Sequence, residues 1–272
     1  MKLPVLPHCL AIAAVLASLG AAAAQPVRVY HDETYWHVGY LDADKQVTAP
    51  LYHRLMCEAL IQALEREGVE AAIVDAEGWL RLCREPERCI VVDICQTVPG
   101  IIYSGQDDGS PLESWLEAGG ILCYSGDWPM FWYALAGEAK AGGDGAQLEG
   151  DDDVFDADLV KDGYVGVATT PTEEGKAVLP GLRPGSTMRP FDATAVAESC
   201  EWYEVYGRGE RPGPAGQPMV AADPVCFRVP GGKGHFFAAH LRRGHHRDTN
   251  QLMLEFILNR GLELLRHGGE GR

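Results

Sequence analysis

The run Cys89-Ile-Val-Val-Asp-Ile94 constrains this chain more than any other feature. It is apolar at nearly every position rather than at alternate ones, so a strand built from it must be covered on both faces. That is the condition of a central parallel strand. Ile121–Tyr124 repeats the pattern; a Gly119-Gly120 stop precedes it, and a sharp turn follows into a helix near Asp127. Around these two runs, Val27–Tyr30 and Val69–Val74 read as strands, and Thr48–Glu67, Glu77–Arg84 and Leu112–Ala118 as helices. The resulting β-α-β-(α)-β-α-β-α order predicts an α/β fold, a mostly parallel sheet with helices on both faces.

The helix from Thr48 places Tyr52, Leu55, Met56, Ala59, Leu60 and Ala63 at helical spacing, and Gly68 ends it. After residue 138 the regularity breaks. Glu138–Gly163, with Asp151-Asp152-Asp153, reads as a solvated insertion and lacks the ligand order of a calcium loop. Tyr164–Ala168 is strand-like, Thr172–Leu179 helical, Ala193–Tyr206 contains a β-like run with Trp202, Tyr203 and Tyr206, and Arg208–Gln217 is a loop by composition. Cys226–Val229 and His235–Leu241 follow Met219–Ala222, and the last two runs pair as an antiparallel C-terminal hairpin. A helix over Thr249–Leu265 carries one stripe of Leu252, Met253, Phe256, Ile257 and Leu264, with Asp248 as its N-cap.

Lys2, the apolar run Cys9–Leu19 and Ala22-Ala23-Ala24 have the layout of a secretory signal peptide over residues 1–24. The expected mature chain is one domain over 25–272, secreted or periplasmic. With 23 basic against 39 acidic residues the net charge is −16, and loss of Lys2 would make it more acidic. Such a surface repels nucleic acid and anionic lipid. The expected partner is a small polar molecule or carbohydrate, with no nucleic acid and no membrane insertion. Of eight cysteines, Cys9 falls in the leader, and the odd remainder contains no Cys-x-x-Cys pair. Cys89, Cys95 and Cys123 read as buried core thiols.

Polar residues gather where the strands end. His31, Asp32, Tyr35, Trp36 and His37 follow the first strand; Asp93 and Gln96 close the third; Ser125, Asp127 and Trp128 follow the fourth; His240 ends the last. In an open α/β sheet these positions share the carboxyl edge, where ligands bind. The turns at the opposite edge, around Gly68 and Gly119-Gly120, are plain.

The order of elements resembles the class I glutamine amidotransferase-like superfamily, and within it the ThuA-like and related uncharacterised members. The resemblance rests on Leu112–Asp127, on Glu174–Leu182 and on Gly231-Gly232-Lys233-Gly234-His235-Phe236-Phe237 before a last helix. It implies a flavodoxin-like fold. Active members place a cysteine in Gly-x-Cys-x-Gly and a His-x-Glu pair later. Here Ile121 and Ser125 flank Cys123 where glycines are needed, Cys123 and Asp127 flank Ser125, and Arg242 stands two residues past His240. The amidotransferase triad is therefore not carried over.

Three readings follow. The first is an exported amidotransferase-like domain that binds a small polar ligand at the strand-end edge, with Trp36 and Trp128 offering faces to a sugar ring and no cofactor required. The second is a hydrolase using an atypical Cys123 or Ser125 nucleophile, or a metal held by His31, Asp32, His37, His240, His245 and His246. The third is a protein-interaction module on a degenerate enzyme fold.

Overall fold

The computed structural model describes residues 27–35, 50–85, 88–95, 97–105, 108–126, 129–135, 138–141, 150–160, 167–187, 190–212, 218–240 and 246–267. Its strands, in chain order, begin with Val27–Tyr30 (β1), Ala71–Val74 (β2), Ile90–Asp93 (β3), Val98–Pro99 (β4), Ile121–Tyr124 (β5), Trp132–Leu135 (β6) and Glu138–Ala141 (β7). Val167–Pro171 (β8), Gly185–Thr187 (β9), Phe191–Asp192 (β10), Tyr203–Val205 (β11), Gly207–Pro212 (β12), Pro218–Ala222 (β13), Val225–Arg228 (β14) and His235–Ala238 (β15) complete the set.

The main sheet runs β11-β14-β15-β5-β3-β1-β2. From β15 to β2 its neighbours are parallel; β14 and β11 are added antiparallel. A second sheet, β10-β13-β12-β8-β9, is antiparallel throughout. The two sheets share one long hairpin. Val205 faces Val225 in the first and Arg208 faces Ala222 in the second, in one unbroken register. The crossing point is Gly207 opposite Asp223, which precedes a cis peptide bond to Pro224.

Every residue of β3, β5 and β15 is buried, as a strand covered on two faces requires. Alternation divides their side chains between two cores. Tyr30, Val91, Leu122, Tyr124 and Phe236 pack with Trp79, Trp115 and Leu116 from the helices Ala76–Arg84 and Pro111–Ala118. Val29, Ile90, Val92, Cys123 and Phe237 pack with Cys57, Leu60 and Leu64 of the helix Pro50–Arg66, and with Met253 and Phe256 of His246–Phe256.

Local chemistry sets the helix ends on the first of these faces. Asp75 caps Ala76–Arg84 by accepting from the Gly78 amide. Ser110 and Glu113 form a reciprocal capping box, with Pro111 in the first turn. Gly119 ends that helix in the left-handed conformation, at φ 119°. Gly120 has no room for a side chain, since a Cβ there would meet the Trp115 indole at 2.2 Å.

Several local expectations are corrected. The helix expected after the turn near Asp127 is not found among the described residues; Trp132 and Tyr133 lie in β6, parallel to β4. The β-like run expected within Ala193–Tyr206 is β11, and a helix capped by Asp192, Ala193–Ser199, precedes it. Gly207–Pro212 is a strand despite its glycine and proline content, because β8 and β13 pair with it on either side. The Pro50–Arg66 helix buries His53, Cys57, Leu60 and Leu64, while Leu55 is 53% exposed, so its inner face is rotated from the expected one. Asp248 is an internal residue of the helix that begins at His246, not its cap. That helix continues through a π turn, Ile257–Gly261, into Leu262–His267. The segment after residue 138 is not wholly solvated: Val154, Phe155, Leu159 and Val160 enter the core, with Phe155 against Phe227 and Phe236.

Candidate functional site at the carboxyl edge of the sheet

The parallel strands reverse their spatial order at β1, which lies between β2 and β3. In open α/β sheets such a reversal opens a crevice beyond the strand ends, where a ligand meets no crossing connection. The backbone carries three expected residues to this edge. The His31 amide donates to the Val74 carbonyl at 3.0 Å, and the Ser125 amide to the Asp93 carbonyl at 2.8 Å. His31, Asp93 and Ser125 thus stand at the ends of the adjacent strands β1, β3 and β5, and all three are buried.

Asp93 is fully buried. Its Oδ1 accepts from the Cys95 amide at 2.8 Å, while its Oδ2 has no hydrogen-bond partner among the described residues. Burial pushes its carboxyl up to about 7, against the weaker opposing effect of the Cys95 hydrogen bonds. Its charge reaches Tyr30 on one face of the sheet and Cys57 on the other, as expected for a group on the crest between them. The Ser125 hydroxyl and His31 Nε2 are likewise buried without partners among the described residues. Native proteins rarely leave such groups unpaired, so three at neighbouring strand ends call for an explanation.

His31 also meets two residues absent from the expected set. Its Nδ1 lies 2.9 Å from His53 Nδ1, and His53 Nε2 lies 3.7 Å from Cys57 Sγ. The Cys57 thiol donates to the Tyr30 carbonyl at 3.5 Å. Burial raises the Cys57 thiol and lowers both imidazoles, His53 to about 3, so the rings are neutral at physiological pH. One donor atom from each of His31, His53 and Cys57 lies within 4.8 Å of the others. The sequence signal for this cluster is His-x-x-x-Cys, four residues apart and so on one helix face, in register with Leu60 and Leu64.

The remaining predicted residues play other parts. Asp32 spends both carboxylate oxygens on backbone: Oδ1 accepts from Thr34 and Tyr35, Oδ2 from Ala76 at 3.0 Å. That ties the β1 loop to the start of the Ala76–Arg84 helix. Tyr35 offers its carbonyl to the Tyr30 hydroxyl at 3.0 Å. His240 is buried in a pair of its own. Its Nδ1 is 3.2 Å from Asp223 Oδ1, its backbone amide donates to the same oxygen, and its ring edge faces Phe191. Burial raises the Asp223 carboxyl, but the facing His240 and its amide outweigh this and hold it below the usual range. A carboxylate partner for His240 is thus present, from the junction of the two sheets rather than from residue 242. Trp36, His37, Gln96, Asp127, Trp128, Arg242 and His245 lie outside the described residues.

The second group of close metal-type donors, Asp108, Glu113 and Asp156, has a structural use. Glu113 accepts from the Gly109 and Ser110 amides in the capping box. Cys123, expected as an atypical nucleophile in the second reading, is fully buried within β5, and burial raises its thiol far from ionisation. The seven cysteines among the described residues are all buried, and none forms a disulfide with another.

No known family model matches the chain, and no curated protein matches it. Among solved structures it is similar to the exo-beta-1,4-mannosidase Op5Man5 from Opitutaceae bacterium strain TAV5, at 15% identity and a TM-score of 0.39. The match covers 89% of this chain and 35% of that one, so the chain spans about a third of that enzyme's length.

Proposed function

We propose that this chain is an exported domain of flavodoxin-like architecture, of the amidotransferase-like type but without its triad, which binds a small polar ligand at the carboxyl edge. The observation that carries the reading is the trio of buried, unpartnered polar atoms: His31 Nε2, Asp93 Oδ2 and Ser125 Oγ. Each costs free energy until something hydrogen-bonds it. A polyhydroxylated molecule such as a carbohydrate supplies donors and acceptors together, which suits a carboxyl, a hydroxyl and an imidazole. The β2-β1-β3-β5-β15 order supports the architecture, because it is the 2-1-3-4-5 order of flavodoxin-like sheets. The buried, protonated Cys123 supports binding over thiol catalysis.

The test is thermal unfolding against a panel of mono- and oligosaccharides and small hydroxy acids. A ligand at a hundred times its Kd stabilises by about 2.7 kcal/mol, a readily measured rise in Tm. At least one compound should raise Tm, and Asp93→Asn or Ser125→Ala should weaken that ligand by roughly tenfold, the worth of one hydrogen bond. A panel without any shift, or a ligand indifferent to both substitutions, overturns the reading.

A further inference from the structure

We propose that His31, His53 and Cys57 form a binding site for one divalent cation of the zinc class. The donor set is two imidazoles and one sulfur, which selects zinc and its borderline neighbours over magnesium or calcium. The site is also built on rigid elements. His31 follows β1 directly, and its amide is fixed to Val74. His53 and Cys57 sit one turn apart on the Pro50–Arg66 helix. All three are buried, with Cys57 fully enclosed.

The spacing fits a cation with little movement. Two nitrogens bound tetrahedrally at about 2.0–2.1 Å from zinc stand about 3.4 Å apart. His31 Nδ1 and His53 Nδ1 are 2.9 Å apart, so a shift of a few tenths of an ångström in each ring is enough. A nitrogen and a sulfur on one zinc stand about 3.6 Å apart; Cys57 Sγ lies 3.7 Å from His53 Nε2 and within 4.8 Å of one nitrogen of each histidine. Two neutral imidazoles meeting nitrogen to nitrogen satisfy each other only when one is the donor tautomer. A cation would take both lone pairs at once. Binding is proton-balanced: the Cys57 S–H bond breaks, its proton leaves to solvent, the thiolate joins the metal, and both histidines remain neutral. No redox change occurs. Three protein ligands leave a fourth position for water or another donor.

The site is tested apart from the edge ligand, because Asp93 and Ser125 are not among its donors. The experiment uses full-length protein freed of metal by chelation and then titrated with Co(II). The expected result is one equivalent bound with a thiolate-to-cobalt charge-transfer band, displaced by Zn(II) and untouched by Mg(II) or Ca(II). About one proton should be released per metal, read by calorimetry in buffers of different ionisation enthalpy. Cys57→Ser should abolish the band. His31→Ala and His53→Gln should each weaken binding by roughly tenfold or more. Circular dichroism and thermal unfolding of each metal-free variant establish that it is folded; a variant that is not is replaced by Cys57→Ala, His31→Gln or His53→Asn. No binding to the wild-type protein, a band that survives in a folded Cys57 variant, or an affinity unchanged in the folded His31 and His53 variants, overturns the proposal. Sugar binding is measured separately, so either reading fails without the other.

Discussion

Asp93→Asn isolates the cost of the buried carboxyl at the sheet edge. The folded protein holds that group at about 7 against an ordinary value of 3.8. At about 1.4 kcal/mol per pH unit, this difference amounts to about 4 kcal/mol. The sign follows from proton counting. Below pH 3.8 the carboxyl is protonated in both states, and it imposes no ionisation cost. Between 3.8 and 7 the unfolded chain has released the proton while the folded one keeps it, so rising pH favours unfolding. Above 7 the full penalty is in place and no longer changes. The asparagine has no such titration, although its amide nitrogen meets the same lack of a partner as Oδ2, a cost independent of pH. The difference in unfolding free energy, variant minus wild type, should therefore climb by about 3 kcal/mol between pH 5 and pH 8 and level off above neutrality. Urea unfolding of chelator-treated protein at four pH values in that interval measures it. A flat difference, or a variant that loses ground as pH rises, would refute the assignment of burial as the dominant influence on Asp93.

Ser125→Ala removes a buried hydroxyl without a partner, so stability should hold or rise by about 1 kcal/mol; a loss of that size in urea unfolding shows a partner that the geometry lacks. Ser110→Ala deletes one half of the capping box and should cost about 1 kcal/mol, with the loss seen equally in thermal and urea unfolding. Gly175→Ala places a Cβ at 1.9 Å from the Tyr206 carbonyl oxygen. The helix Glu173–Val178 must then move off the β11–β12 junction, for about 3 kcal/mol, and wild-type-like stability would contradict the close approach.

The strands were legible where burial is two-sided. Ile90–Asp93 and Ile121–Tyr124 are apolar throughout because helices cover both faces, and no other arrangement makes such runs stable. The helix start at Thr172 and the stop at Gly119 were legible for a local reason, since a cap is made within four residues of itself, whereas the caps Asp75 and Ser110 were passed over and Asp248 lies inside its helix. Position at the edge was readable too, because His31, Asp93 and Ser125 follow directly from where the strands stop. Misreadings fell where a neighbour decides the outcome. Gly207–Pro212 has the composition of a loop, and becomes a strand because partners bracket it. The inner face of Pro50–Arg66 was misjudged by roughly one residue, since Leu55 and Cys57 are both apolar and only docking against β1 separates them.

What each expected site residue does was decided by contacts distant in the chain. Asp32 looks like a ligand carboxylate until Ala76, 44 positions on, takes its free oxygen. His240 lacks an acid nearby in sequence and finds Asp223 at the hinge of a hairpin that serves two sheets. By itself, then, the sequence determined the fold class, some of the helix ends and which residues reach the carboxyl edge, because periodicity and short-range hydrogen bonds are properties of neighbouring residues. Only the tertiary structure decided that His31 faces His53 and Cys57, that Asp93 is desolvated on the crest, and that Asp32 is consumed as a strut. Burial and pairing depend on which surfaces meet, and no local stretch of chain contains that information.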